Sequence, residues 1–246
     1  SMRLFFFPFF LLLFSSSAFA EPLRVGVVHF PPHSIVEGRS VVGGTMIKTM
    51  EKTLKNASLD YQLIPYPAKI VFASLGAGDL DLLGGLKTNI DYHDNVIFSE
   101  NTIGSIELRL YGFGNAVPPT SLAELKGTRL GIIRGFNYNG KLTTLTTPEN
   151  KKFVTIIDSH SSALRMLASN RIDFLLDYES TVNTELKLHP LEGLVHTTLE
   201  KLDLYFVLNK NIPHSSAIMA LLDASYSSLF PYHATQNVEM SDDRAK

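Results

Sequence analysis

One pattern occurs twice in this chain, and each copy is long enough to dictate a supersecondary unit. An apolar run of helical character is followed by a tight turn, then by an aspartate that opens a short buried strand. The first copy runs from Phe72-Ala73-Ser74-Leu75 through Gly76-Ala77-Gly78 to Asp81-Leu82-Leu83-Gly84-Gly85. The second runs from Ala163-Leu164-Arg165-Met166-Leu167 through Ala168-Ser169-Asn170 to Asp173-Phe174-Leu175-Leu176-Asp177. Leu75 stands six residues before Asp81, and Leu167 six before Asp173. Each copy is preceded by a strand-like run, 59–65 and 153–157, and farther upstream by another, Arg24-Val25-Gly26-Val27-Val28 and Arg129-Leu130-Gly131-Ile132-Ile133. Strands alternating with helices assemble into parallel sheets covered by helices. The chain therefore reads as two similar α/β lobes with a cleft between them.

The run from Leu23 to Val28 is stopped by Phe30-Pro31-Pro32-His33, because proline has no amide to donate and fixes its own φ. Glu37-Gly38 is the next turn. From Thr45, the residues Met46, Ile47, Met50 and Leu54 recur at helical spacing, with Thr45 as the N-cap and Asn56 as the stop. A strand from Leu59 to Pro65, a helix from Ile70 to Leu75 and a strand at Leu82-Leu83 complete a βαβαβ half. Ser105 to Phe113 is a strand that leads through Gly114, Pro118 and Pro119 into the second lobe. Ser121-Leu122-Ala123-Glu124 has the form of a capping box and reads as one helical turn before a strand. The second lobe repeats strand (Thr128 to Ile133), helix (after Gly135), strand (Phe153 to Ile157), helix (Ser162 to Leu167) and strand (Phe174 to Leu176). A strand from Leu202 to Leu208 and an amphipathic helix carrying Ala217, Ile218, Leu221, Leu222 and Tyr226 return to the first lobe. The expected division is 21–112 with 204–231 as lobe one and 113–203 as lobe two. The patternless tail 232–246 is expected to be mobile.

Composition narrows the compartment and the partners. In the first twenty residues Arg3 is the only charge, Leu4 to Phe14 is apolar, and Ala18-Phe19-Ala20 fits a small-x-small cleavage site. Residues 1–20 read as a signal peptide cleaved after Ala20, since the apolar core is short for a membrane span. No later segment approaches eighteen uninterrupted apolar residues, so the mature chain is expected to be soluble. Of 246 residues, 45% are hydrophobic, enough to build ordinary cores. The balance of 22 basic against 24 acidic residues, one unit more negative once Arg3 is removed, supplies no basic stripe for nucleic acid. There is no cysteine, so an exported chain must hold its lobes by packing, without disulfides or thiolate metal sites. His29 and His33 stand four apart, yet Pro31-Pro32 forbids the helix that would pair them on a metal. No metal or cofactor is expected.

The order of these elements, with Phe30-Pro31-Pro32 after the opening strand, resembles the family 3 extracellular solute-binding proteins, the periplasmic group for polar amino acids. Further landmarks are Val42-Gly43-Gly44 before a helix, Gly78-x-x-Asp81, Phe98-Ser99, Leu122-x-x-Leu125-Lys126-Gly127 before Arg129-Leu130-Gly131, and Asn170-Arg171-Ile172-Asp173. The resemblance spans roughly Leu23 to Leu229. It implies a two-lobed type II periplasmic-binding fold, each lobe a mostly parallel sheet flanked by helices, monomeric, closing on a small ligand and serving an inner-membrane ABC permease.

Candidate ligand contacts follow from the strand ends. Phe30 stacks on a ligand or belongs to the core. His33 hydrogen-bonds a ligand or is solvated. Gly85, Lys87 and Thr88 follow the third strand, where the resemblance places backbone and hydroxyl contacts. It also places an arginine for an α-carboxylate a few residues before Phe98-Ser99, where this chain has Tyr92 or His93 and no arginine between Thr88 and Ser99. An aromatic hydroxyl or imidazole does not reproduce that bidentate fork. In lobe two, Arg134-Gly135-Phe136-Asn137-Tyr138 occupies a loop suited to an anionic or carbonyl group, and Asp177 stands where the resemblance has an acid for an ammonium, with Tyr178 and Glu179 as competitors. Asp158-Ser159-His160 contains the residue types of a hydrolase triad, but adjacent residues cannot form one, so it reads as a loop and helix cap. Three functions are weighed: a binding protein for a small polar solute, amino-acid-like or a related amine or organic acid; a cyclohexadienyl-dehydratase-like enzyme with Glu179, Asp177 or His33 as acid; and a sensory or partner-binding module with a degenerate cleft.

Overall fold

The computed structural model describes residues 21–88, 90–92 and 94–231. The expected leader, the candidate His93 and the tail from Tyr232 lie outside the described residues. Among the described residues, ten strands and six α-helices follow in order: β1 (Leu23–Val27), β2 (Ile35–Glu37), β3 (Ser40–Gly43), α1 (Thr45–Asn56), β4 (Tyr61–Pro65), α2 (Ala68–Ala77), β5 (Leu82–Gly85), β6 (Val96–Phe113), β7 (Leu130–Ile133), α3 (Lys141–Leu145), β8 (Val154–Ile157), α4 (His160–Ala168), β9 (Phe174–Tyr178), α5 (Glu179–Leu188), β10 (Leu194–Asn209) and α6 (Ser215–Leu229). Eight strands form one sheet in the order β4-β1-β5-β10-β6-β9-β7-β8. β1 pairs in parallel with β4 and β5, and β7 with β8 and β9, so the sheet holds two copies of one parallel unit. The long strands β6 and β10, antiparallel to each other, run between the copies and join them. Helices cover each copy and bury its apolar strands in the two-lobed arrangement that the sequence predicts.

The repeated aspartate has a structural reason to be there. Asp81 accepts the Arg24 backbone N–H at 2.8 Å and two guanidinium bonds at 3.0 and 2.8 Å. Asp173 accepts the Arg129 backbone N–H at 2.7 Å and two guanidinium bonds at 3.2 and 2.6 Å. In both copies the same arginine also donates to the carbonyl that closes the preceding helix, Gly78 at 2.8 Å and Asn170 at 2.9 Å. Those two residues take left-handed φ of 90° and 56°, which glycine and asparagine tolerate best. An arginine entering the first strand thus locks the entrance of the third, twice, through a planar fork that matches a carboxylate.

Several element bounds differ from the sequence expectation. Gly44, not Thr45, is the N-cap of α1, with φ 123°. A Cβ at Gly44 would stand 2.3 Å from the His33 carbonyl oxygen, so the loop and helix meet there only because the side chain is missing. The segment after Phe30 holds a β2–β3 hairpin turned at Gly38. β6 and β10 are far longer than the runs read from sequence, because their middles alternate exposed and buried residues where they cross from one lobe to the other. α5 was not expected, since its Glu-Ser-Thr-Val-Asn-Thr run carries little apolar periodicity and buries Ser180, Thr181 and Val182. Phe153 falls in a 3-10 turn instead of a strand. The Ser121 segment is a single 3-10 turn, as expected. No helix among the described residues is long and apolar enough to cross a membrane.

Candidate functional site

The carboxyl ends of the two parallel units face each other across β6 and β10. After β1 the chain makes a tight turn closed by Phe30 N–H to Ser34 O at 2.8 Å, Ser34 N–H to Phe30 O at 3.0 Å and the Ser34 hydroxyl to Val28 O at 2.5 Å. The turn contains the cis Pro31-Pro32 bond and holds Phe30 and His33 stacked, with ring centroids 5.6 Å apart. From the other side, Phe136 after β7 and Tyr178 at the end of β9 meet the Phe30 ring edge-to-face at 5.8 and 5.4 Å, and each other at 5.6 Å. Tyr138 stacks on Tyr178 at 5.8 Å and is fully buried, its hydroxyl accepting the Ile133 N–H at 2.6 Å. An aromatic seam therefore joins the lobes, in the perpendicular geometry that ring quadrupoles favour.

Polar groups flank the seam. His33 Nδ1 lies 3.3 Å from the Thr45 hydroxyl, while its Nε2 is buried without a hydrogen-bond partner. Burial lowers the His33 pKa, with Glu179 pulling the other way. Glu179 opens α5, accepts from Asn183, and its carboxylate stands 3.9 Å from Arg109. Arg109 itself is held by Glu107 at 2.6 and 2.9 Å, which keeps the Glu107 carboxyl below its ordinary range through that bond, burial opposing. Asp177 is entirely buried. It accepts the Tyr178 N–H at 2.7 Å and the Thr181 hydroxyl at 3.1 Å on one oxygen, and His160 Nδ1 lies 2.5 Å from the other. At the far edge the Thr88 hydroxyl bonds Asn139, which donates to Glu200 at 3.1 Å, and Lys141 pairs with the same Glu200. This latch ties the loop after β5 to the loop before α3.

Of the residues named from sequence, the structure brings Phe30, His33, Phe136, Asp177 and Glu179 to one seam, with Thr88 in the latch. Others lie elsewhere. Tyr92 is buried in the first lobe's core against Phe72 and Phe98, each 5.9 Å away, and burial raises its phenol pKa. Gly85 is buried beside it, where an added Cβ would stand 2.4 Å from the Tyr92 hydroxyl oxygen. The apolar face of Tyr92 wins over a polar role because the loop returns it onto α2 and β6. Lys87 rests 3.9 Å above the Tyr205 ring, a cation–π contact on β10. Arg134 pairs at 2.6 Å with Asp158 on the open surface, and Asn137 is exposed. α3 begins only at Lys141, after Tyr138, Asn139 and Gly140 all take positive φ, so no helix N-terminus meets the Gly135 loop.

Sequence reasoning missed His160, Tyr178 as a seam residue, and the pair Arg109–Glu107. Ser159 does cap α4, accepting the Ser162 N–H at 3.2 Å. That cap aims the next residue, His160, inward onto Asp177, seventeen positions later, and no local spacing reveals it. Two surface hollows lie away from the seam, one of about 580 Å³ beside Pro22, Lys55 and Tyr61 and one of about 320 Å³ beside Glu100 and Asp223.

Solved structures share this fold. A histidine kinase sensor domain with similarity to periplasmic binding proteins superposes with a TM-score of 0.68 at 14% identity, covering 91% of this chain and 95% of that one. The GluR0 ligand-binding core in complex with L-glutamate gives 0.66 at 16%, covering 91% and 98%. The arginine-, lysine-, histidine-binding protein ArtJ from Geobacillus stearothermophilus gives 0.61 at 16%, covering 91% and 94%. No protein-family model matches the sequence, and no curated protein matches it. At these identities the likeness fixes the two-lobed periplasmic-binding-protein fold.

Proposed function

We propose that this protein is an exported, non-catalytic binding module that closes its two lobes on a small polar solute at the Phe30, Phe136, Tyr178 seam, with His33 and Glu179 as the polar contacts. The observation that carries the reading is the His33 Nε2 atom, buried at the seam without a hydrogen-bond partner beside a half-buried Glu179 carboxylate. Buried polar atoms normally have partners, and a solute admitted as the lobes part would supply one. The crossing strands β6 and β10, which run from one lobe to the other, give closure a hinge. β10 shifts register against β6 at Thr198/Glu200, Leu204/Tyr205 and Tyr205/Val207, irregularities of the kind that let a strand pair bend. Neighbours that bind glutamate or arginine, lysine and histidine support a small solute, which this reading has delivered to an inner-membrane permease.

The solute class differs from an ordinary α-amino acid. The only arginine at the seam, Arg109, is already engaged by Glu107 and Glu179, so no free guanidinium meets an α-carboxylate among the described residues there. Calorimetry and thermal-shift assays across amino acids, amines, organic acids and small peptides test the proposal. A bound solute at a hundredfold excess over Kd adds about 2.7 kcal/mol of stability, and Phe30→Ala or Glu179→Gln abolishes the response. Silence across all four classes overturns the binding role.

A second reading is favoured by the direct ring-to-ring packing across the seam together with the sensor-domain neighbour. In it the same closed arrangement serves a sensory or partner-binding module. Silence in the solute screen combined with specific capture of a signalling partner would select this second reading.

A further inference from the structure

Asp177 is a carboxylate with no access to water, and burying such a charge without a positive partner is strongly unfavourable. Its surroundings are aromatic: Tyr178 is the next residue, Tyr138 stacks on Tyr178, and Phe136 packs on His160 at 5.7 Å. One carboxylate oxygen is satisfied from the backbone and Thr181. Among the described residues the other is met only by His160 Nδ1, at 2.5 Å, from a side chain that belongs to a different helix and remains a quarter exposed. Arg109, directly opposite Asp177 across the β6–β9 pair, directs its guanidinium to Glu107 and Glu179 instead. Beyond Asp177, Glu185 on α5 is the other acidic group facing His160. A buried carboxylate among aromatic residues, met at its open edge by an imidazole nitrogen that carries a positive charge when protonated, has the chemistry of a site for a small organic cation.

We infer that the pocket at Asp177 is a cation-binding site whose built-in occupant is the His160 ring, so that the cleft takes solutes carrying no ammonium group at this position. The specificity consequence rests on the proposed binding role; the pocket itself does not, and it is tested without any cleft solute. His160 acts as a specificity determinant by filling space and charge that a ligand amine would otherwise claim. Its removal leaves a cavity of imidazole size, open to the seam.

The experiment is chemical complementation. The His160→Ala variant is expected to lose thermal stability and to recover most of that loss, saturably, with imidazole or methylammonium but not with acetamide. The unaltered chain shows no such gain, and neither does His160→Ala/Asp177→Asn. Recovery that persists without Asp177, equal gains in the unaltered chain, or no recovery in a folded His160→Ala protein overturns the site. If His160→Ala does not fold, nitrogen-15 NMR of the unaltered chain decides: a slowly exchanging His160 Nδ1–H that disappears in Asp177→Asn supports the site, and a ring that titrates like free histidine overturns it. Amine-bearing solutes should bind His160→Ala more tightly than the unaltered chain, and equal affinity overturns the specificity half. A negative solute screen with positive complementation separates failure of the binding role from failure of the pocket.

Discussion

His33 and His160 border the same seam and titrate in opposite directions, because one is buried near a carboxylate and the other is bonded to one. Burial lowers both, but at His160 the Asp177 hydrogen bond and charge outweigh it and the pKa is raised above 6.5. A raised folded pKa contributes stability that is fully present below the unfolded value and is lost as pH rises through the folded one. Denaturant unfolding followed from pH 5 to 9 should therefore show stability falling on the alkaline side of about pH 6.5, and His160→Gln should flatten that fall. His33 acts in the reverse sense, disfavouring the fold as pH drops below 6.5. Truncating His160 strands a buried carboxylate, an effect on the order of 3–5 kcal/mol. At this scale Phe30, Asp177 and Glu179 were legible because they stand at strand ends, where side chains converge. His160 was not, because a local cap explained its neighbours completely.

At the scale of elements, the doubled Arg–Asp clamp explains why the sequence repeat is visible at all. Each clamp joins the entrance of a first strand to that of a third, at the end of the sheet opposite the seam, so its role is to hold the parallel order that brings the far ends together. Asp81→Ala removes three hydrogen bonds, including that of a backbone N–H, and should cost about 1–3 kcal/mol in equilibrium unfolding. Asp173→Ala, in the more exposed copy, should cost less. If both variants unfold as the unaltered chain does, the clamps are incidental. The Asp173 carboxyl is held below its ordinary 3.8 by the Arg129 hydrogen bond, against burial. A depressed folded value contributes stability present above the unfolded pKa and lost as pH falls through the folded one. Asp173→Asn should accordingly unfold with less dependence on pH below about 4. The long crossing strands escaped the sequence because their pattern changes where they pass from one lobe to the next, and α5 escaped because its burial is polar.

For the whole molecule, closure is the property to measure. Phe30 is the lobe-one ring that meets Phe136 and Tyr178 across the seam, and each of these aromatic pairs is worth about 1 kcal/mol beyond its area. Phe30→Ala should shift the lobes toward an open arrangement by roughly fivefold per lost pair, read as a larger radius of gyration in solution scattering. An unchanged radius would show that the Thr88–Asn139–Glu200 latch or the crossing strands hold the lobes without the rings. The sequence by itself determined the two α/β units, their parallel order and the absence of an arginine before Phe98, because periodicity, turn residues and a repeated aspartate are local signals written in short spacings. Only the tertiary structure decided that Tyr92 belongs to the core, that Arg134 faces the surface and that His160 closes on Asp177. Those outcomes depend on which distant element lies opposite a side chain, and burial and charge pairing across the fold settle them after the local preferences have been met.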